Sequence, residues 1–463
     1  MTLAAIHLPL LAGVGVAVAV IAGAVLGRVT RVPAPVYYVL AGLAVSAVPG
    51  VEEIRLPPAV VFYGFLPPLL YAAAFLTAPR EARANWRSIL GLAFGLTAVT
   101  LFAVGGIAWW LVGALSGATA FVLGAVLAPT DPVSASTVIS SSSAPERLRT
   151  ILEGESLVND GVGLVAFSVA VTAATHGNFS VGDGILKFLQ LSAGGIAFGL
   201  ALGAVVEVVR RSIHDVEIET AISLVTPYLA YIPAERLHLS GVLATVTVGV
   251  FLGWRSEGIF RPEVRVQSLT FWSILTFILS SVLFVLLGTQ LRPVVRELHG
   301  YSNWTLARDA AVIFVAVTLV RMAWMLVVPH GSRRDRIVLG WAGMRGALSL
   351  AAALSIPVTV AHREEILFLT FTTILAGLVL LAVPFPWLLD ALGFRRVPGA
   401  SVRMRLLDAA GVDPATYLDE RRRVLDAERE ELHRLEREGE LSHEAARELE
   451  RRLDLEEAAL SPR

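Results

Sequence analysis

The chain has 463 residues, of which 55% are hydrophobic and only 17% charged, with a mean hydropathy of +0.68 and a formal net charge of −1. A soluble chain is about a quarter charged, and here the deficit is uneven. Residues 401–463 hold 12 Arg and 17 Asp or Glu, which leaves 26 basic and 22 acidic side chains, 12% of positions, in residues 1–400. That is too few to coat a soluble surface of that size and places the first 400 residues in a bilayer. The balanced charge gives no footprint for nucleic acid. Without cysteine there is no disulfide, thiolate chemistry or Cys-ligated metal, and the nine His lack ligand spacing. No cofactor and no enzymatic activity are expected.

A membrane-spanning helix needs about 20 apolar residues. In chain order such runs fall at 5–27, 33–49, 57–77, 89–112, 118–140, 150–175, 184–209, 216–232, 238–254, 268–290, 305–329, 335–358 and 365–390. The run at 216–232 is the weakest, since it contains Glu217, Glu219 and Pro227. The first has no basic n-region or clear cleavage site and reads as a retained helix. Thirteen spans put the termini on opposite sides. One set of alternate loops then carries 15 Arg (28, 31; 80, 83, 87; 147, 149; 210, 211; 255, 261, 265; 333, 334, 336), and the other carries seven basic residues (Arg55, Lys187, Arg236, Arg292, Arg296, Arg308, Arg363). The positive-inside rule places the first set and the C-terminal tail in the cytoplasm and the N-terminus outside.

The expected organisation is a transmembrane domain over 1–398 and a charged helical cytoplasmic tail over 399–463. From Pro414 to Leu460 the tail sets Leu425, Leu432, Leu435, Leu449 and Leu453 against dense charge, with a break near Gly439 and Ser442 as N-cap of a second segment. It reads as a solvated helical hairpin.

A carboxylate within a bilayer costs at least ~2.5 kcal/mol, so each needs a reason. Asp131 sits mid-span between Pro129 and Pro132. Two prolines three apart remove two N–H donors, so the span breaks near Thr130 and Asp131. Broken backbone at membrane depth is tolerated where protein buries it or where it lines a wet cavity, and half-helix ends there offer carbonyls to a cation. Asp131 also suits the cap of the second half. Further on, Glu155, Ser156, Asn159 and Asp160 occupy adjoining parts of one helical face, which must point at other helices or a cavity. Glu153 reads as helix-end charge. Arg321 lies within an apolar span, where snorkelling to the cytoplasm is the alternative to a buried partner. Arg345, between Gly343 and Gly346, marks a second break. One interrupted span in each half is the pattern of inverted-repeat transporters.

Four motifs, Phe65-Leu-Pro-Pro-Leu-Leu, Pro129-Thr-Asp-Pro-Val, Gly154-Glu-Ser-Leu-Val-Asn-Asp and Gly343-Met-Arg-Gly-Ala-Leu-Ser, resemble those of sodium/proton antiporters of the first monovalent cation:proton antiporter family. The resemblance covers most of residues 5–395. It implies an all-α polytopic fold of about 13 transmembrane helices with inverted repeats, a dimerisation domain, a six-helix core and two crossed, broken helices. It further implies a homodimer in the plasma membrane that exchanges Na⁺ (or Li⁺) for H⁺. By resemblance, Asp131 and Asp160 carry the ion, assisted by Thr130 and Ser156. Asn159 completes the Asn–Asp pair associated with electroneutral exchange, Glu155 pairs with a basic residue for which Arg321 is preferred, and Arg345 steadies the crossed helices. Several members have a Glu after the Leu-Leu of the third span, where this chain has Ala72, so a third carboxylate ligand is missing.

A carboxylate held away from water resists standing bare, so it takes either a proton or a small cation, and the competition couples the two. K⁺/H⁺ exchange is the alternative within this class. A cation channel lined by Asn159 and Asp160 is the alternative outside it. An intramembrane aspartyl protease would want Gly-x-Gly-Asp, whereas Asp160 follows Leu-Val-Asn.

Overall fold

The computed structural model describes residues 3–30, 32–46, 57–77, 79–112, 115, 117–140, 142–176, 181–213, 215–259, 262–296, 298, 302–328, 331–394, 414–437 and 453. Two compact units emerge, residues 1–140 with 144–393, and residues 394–463 with 141–143.

Every apolar run falls on helix among the described residues. Six stretches are long and apolar enough to cross a bilayer alone: Trp86–Leu111, Glu146–Thr175, Gly182–Arg211, Gln267–Arg296, Asn303–Val327 and Arg363–Ala391. Shorter apolar helices include Gly15–Val29, Ala34–Ser46, Val60–Leu76, Gly117–Leu127 and Gly241–Arg255. The chain is a multi-pass membrane protein. The run at 216–232 forms Val216–Arg236 with Pro227 and Pro233 inside it, started by Asp215, whose carboxylate accepts from Glu217 N (3.0 Å) and Ile218 N (2.9 Å). Two elements the sequence reading leaves as loop are helical, Pro79–Ala84 and Leu291–Arg296. Pro79–Ala84 is a short helix whose Arg83 lies 5.7 Å over the Trp254 ring.

Proline accounts for some of the places where helices depart from regular geometry. In Val60–Phe65 the turn widens ahead of Pro67 and Pro68. Pro68 has no N–H for the carbonyl of Gly64, and the Tyr228 hydroxyl donates to that oxygen instead (3.2 Å). Two spans are interrupted. Gly117–Leu127 and Val133–Ser140 flank one break, and Arg333–Trp341 and Ala347–Leu354 flank the other. At ~1.5 Å per residue, halves of eight to eleven residues each reach about half of a ~30 Å hydrocarbon core.

Three apolar clusters order these helices. One gathers Leu123, Leu127, Ile313, Val317, Ala353 and Leu369 around the broken helices. A second joins Tyr71, Ala72, Phe75, Ala230, Val248 and Trp272. A third joins Leu66, Leu70, Leu157, Tyr231, Val242 and Val246. Lipid is as apolar as Leu, so helices associate through close packing at small residues. A Cβ on Gly42 would stand 3.0 Å from Gly288 Cα and collide with the Val285 carbonyl, which is how Ala34–Ser46 seats on Pro262–Thr289.

In the second unit, Pro414–Arg437 is helical, with Arg434 Nε donating to Glu431 (2.9 Å). The expected break at Gly439 and cap at Ser442 lie outside the described residues.

Candidate ion-binding site

Gly117–Leu127 packs on Ala347–Leu354, and the two breaks meet through exchanged backbone bonds. In an unbroken helix the Asp131 N–H would serve the Leu127 carbonyl. Instead Asp131 N donates to Met344 O (2.9 Å), and Arg345 Nε donates to Leu127 O (2.9 Å). Arg345 also donates to Gly343 O. Likewise the Leu339 carbonyl, left over where the second helix breaks, accepts from Arg321 Nε (2.9 Å). Both half-helices thus end against a guanidinium, the favourable charge for a helix C-terminus.

Several carbonyls at the breaks are engaged by the protein: those of Leu127, Leu339, Gly343 and Met344 accept from protein donors, and the Thr130 carbonyl accepts from Ser156 Oγ (2.9 Å). Leaving a buried carbonyl unpaired at this depth is costly, and the crossing itself removes that cost.

Glu155 is 1% exposed and lies under this crossing. Arg321 grips it with both terminal nitrogens, NH1 to Oε1 at 2.5 Å and NH2 to Oε2 at 2.8 Å, and is itself 1% exposed. Snorkelling of Arg321 is therefore excluded. Thr130 Oγ1 donates to Glu155 Oε1 (3.1 Å), and Asn159 Nδ2 donates to Thr130 Oγ1 (2.9 Å). A directed chain runs from the Asn159 amide through the Thr130 hydroxyl to the Glu155–Arg321 pair. It fixes Thr130, and with it the break, against the continuous helix Glu146–His176.

Asp131 and Asp160 differ from these groups. Glu155, Ser156, Asn159 and Thr130 are buried, whereas the two aspartates are only partly so. Asp131 Oδ1 caps the second half-helix by accepting from Val133 N (2.9 Å), and its carboxyl lies against Gly346, where a Cβ would stand 2.6 Å from Asp131 Cγ. Asp160 feels the charges of Asp131 and Glu155. Neither aspartate is paired with a basic side chain among the described residues. Asn159 Oδ1 is buried without a hydrogen-bond partner. Three oxygen-bearing groups, Asp131, Asp160 and Asn159, therefore remain for a ligand.

Asp131, Thr130, Glu155, Ser156, Asn159, Asp160, Arg321 and Arg345 meet here, whereas Ala72 is 0% exposed and packs with Tyr71, Trp272 and Phe75 in an apolar cluster. Glu153 pairs with Arg149 Nε (2.8 Å) at the helix end. The sequence reading missed a second buried polar group. In it Trp272 Nε1 donates to Ser223 Oγ (3.0 Å), Ser223 reaches the Tyr71 hydroxyl (3.5 Å), and Arg210 donates to Glu219 O (3.3 Å). It also missed the buried carboxylates Asp309 and Glu365. Their only signal was position near the start of an apolar helix, Asp309 in Asn303–Val327 and Glu365 beside Glu364 in Arg363–Ala376.

The family described as sodium/hydrogen exchanger, transmembrane, matches residues 16–391. An uncharacterised Na⁺/H⁺ exchanger of Mycobacterium tuberculosis is 35% identical over 402 residues, covering 81% of this chain and 72% of its own. The Na⁺/H⁺ antiporter NhaH of Halobacillus dabanensis is 33% identical, covering 71% and 82%. Among solved structures, the sodium proton antiporter MjNhaP1 of Methanocaldococcus jannaschii superposes with a TM-score of 0.67 at 22% identity, over 83% of this chain and 99% of that one.

Proposed function

The chain belongs to the family of transmembrane sodium/hydrogen exchangers, and from that premise we propose that it exchanges Na⁺ for H⁺ by alternating access, with cation and proton competing for Asp160 and Asp131. The observation that carries this reading is the contrast in pairing. Glu155 is neutralised by Arg321, while Asp131 and Asp160 are partly accessible and without a basic partner among the described residues. A bare carboxylate at membrane depth is costly, so movement of the site across the bilayer is favoured once a proton or a cation neutralises Asp160. Carboxylates and the free Asn159 Oδ1 are hard oxygen ligands suited to Na⁺ or Li⁺. With an amide at 159 in place of a second carboxylate, one charge is neutralised per cycle in either direction, which makes the exchange electroneutral.

Thirteen crossings, an outward N-terminus, a cytoplasmic tail over 399–463, plasma-membrane residence and a homodimer complete the proposal, on the Arg asymmetry of the loops and the family resemblance. K⁺ is the second cation to consider, since a relative from Bacillus subtilis at 31% identity is named a sodium, potassium, lithium and rubidium/H⁺ antiporter.

The test is dissipation of a pH gradient by Na⁺, Li⁺ and K⁺ in voltage-clamped proteoliposomes. Asp160→Asn is expected to abolish exchange while the protein stays folded. Wild-type proton flux in that variant would sink the assignment, and current without proton movement would point to a channel.

A further inference from the structure

Past the end of Val60–Leu76 the chain turns into Pro79–Ala84 and then, after Asn85, into Trp86–Leu111. Asn85 N still donates to Glu81 O (3.1 Å), and Ile89 N donates to Asn85 O (3.0 Å). Helical bonding therefore runs through the turn, and Arg83 and Arg87, four positions apart, share one side. Each guanidinium stands at the face of a tryptophan. Arg83 lies 5.7 Å from the Trp254 ring centroid and Arg87 lies 5.5 Å from that of Trp86. Trp86 opens one apolar span, and Trp254 is in the last turn of another, Gly241–Arg255. Both rings stay accessible as well, Trp86 at 52% and Trp254 at 42% exposed.

Three other arginines of the Arg-rich face are spent on carboxylates. Arg149 pairs with Glu146 and Glu153, and Arg211 and Arg255 both pair with Glu207. Arg83 and Arg87 have neither a carboxylate nor a hydrogen bond among the described residues, so their N–H donors are unspent. The one acidic side chain of their short helix, Glu81, turns instead to Glu146–His176, where its Oε2 accepts from Thr150 Oγ1 (2.8 Å). From Trp86 the exposed side chains of Leu90 and Phe94 continue along the span at the same spacing of four. Apolar surface thus leads from the two charges into the hydrocarbon.

We propose that Arg83 and Arg87 bind the phosphate of one anionic phospholipid, whose acyl chain lies along Trp86, Leu90 and Phe94. The chemistry selects the occupant. Phosphate accepts paired, charge-assisted bonds from arginine forks, and tryptophan sits at headgroup depth. The apolar strip below the charges suits an acyl chain and has no use for a free anion. A zwitterionic lipid would bring its own cation to a pair of unneutralised arginines. The site stands on these contacts alone; that its leaflet is the cytoplasmic one rests on the orientation proposed above. Because Glu81 of the same short helix holds Thr150, the lipid also braces the start of the helix that goes on to carry Glu155 and Asp160.

The test titrates the purified full chain in detergent with dioleoylphosphatidylglycerol, dioleoylphosphatidylcholine or inorganic phosphate, and counts bound lipid by native mass spectrometry. Wild type is expected to take up one phosphatidylglycerol per chain ahead of any phosphatidylcholine. Arg83→Gln and Arg87→Gln should each weaken that first binding about fivefold, and the double variant about thirtyfold. Arg333→Gln with Arg334→Gln removes the same charge from two arginines that have no ring beneath them among the described residues, and should leave it unchanged. All four arginines are exposed, so none of these changes disturbs the core. Phosphatidylglycerol should also raise the unfolding temperature of wild type and not that of the Arg83 and Arg87 double variant. Equal affinity for the two lipids, displacement of the lipid by millimolar phosphate, full binding in the double variant, or an equal loss in the Arg333 and Arg334 control would each overturn the proposal. A C-terminal tag reached from outside intact cells would overturn the leaflet alone and leave the binding result standing.

Discussion

Arg321→Met isolates the interaction that holds the first break in place. The substitution keeps most of the side chain's volume but leaves Glu155, 1% exposed, without either of its two charge-assisted bonds (2.5 and 2.8 Å), and leaves Leu339 O without its donor. Only the Thr130 hydroxyl, at 3.1 Å, would still serve the carboxylate. Breaking a buried pair in this way costs about 3–5 kcal/mol. Replacing both charges removes the stranded ion, so Glu155→Gln with Arg321→Met is expected to regain a coupling energy of about 2–3 kcal/mol relative to the sum of the single variants. Glu155→Gln alone should fall between, since the amide still accepts from Arg321 with one oxygen. Equilibrium unfolding in detergent, followed by tryptophan fluorescence, measures all four corners of the cycle. A single variant within 1 kcal/mol of wild type, or additive costs in the double variant, would refute the claim that this pair positions the break.

Gly346→Ala should destabilise the protein by about 1–3 kcal/mol, as overpacking does, and suppress exchange, because its Cβ would stand 2.6 Å from both Cβ and Cγ of Asp131. Gly377→Ala, with its nearest neighbours at 3.9 and 4.0 Å, should be close to neutral, and comparing the two by thermal unfolding and transport separates crowding at Asp131 from a general intolerance. Asn159→Asp replaces a donor to Thr130 Oγ1 with an acceptor, while the one proton of that hydroxyl is already given to Glu155. A loss of about 1–3 kcal/mol is expected, together with a membrane current if the added carboxylate carries charge through the cycle. Gly42→Ala should loosen Ala34–Ser46 from Pro262–Thr289, since the methyl would meet backbone, and cross-linking or unfolding assays should register it, whereas Gly106→Ala, with open space around it, should not.

The membrane body and its interruptions were legible because they follow from local chemistry. Apolar runs of adequate length become helices whatever their neighbours, and Pro129 and Pro132 cannot supply the N–H groups that a continuous helix needs. The polar side bearing Glu155, Ser156, Asn159 and Asp160 was equally legible, since helical periodicity alone puts those residues together. The partners of the carbonyls at the breaks were not legible. Local sequence says that Leu127 and Leu339 lose their helical donors, but not that Arg345 and Arg321, far away in the chain, fill them.

Asp309 and Glu365 show the same limit from the other side. In sequence each is an acidic residue near a helix start, 56 positions apart, and nothing local distinguishes it from a solvated end charge. Packing of the two helices buries both and leaves one oxygen unfilled. The sequence by itself determined where the chain must cross lipid, where its helices must break and which charges needed a reason to be there, because these are properties of short segments and of transfer from water. Only the tertiary structure decided which charge each one meets. Partnering depends on which helices lie side by side, and in a bilayer close packing sets that arrangement, with no apolar pattern to announce it.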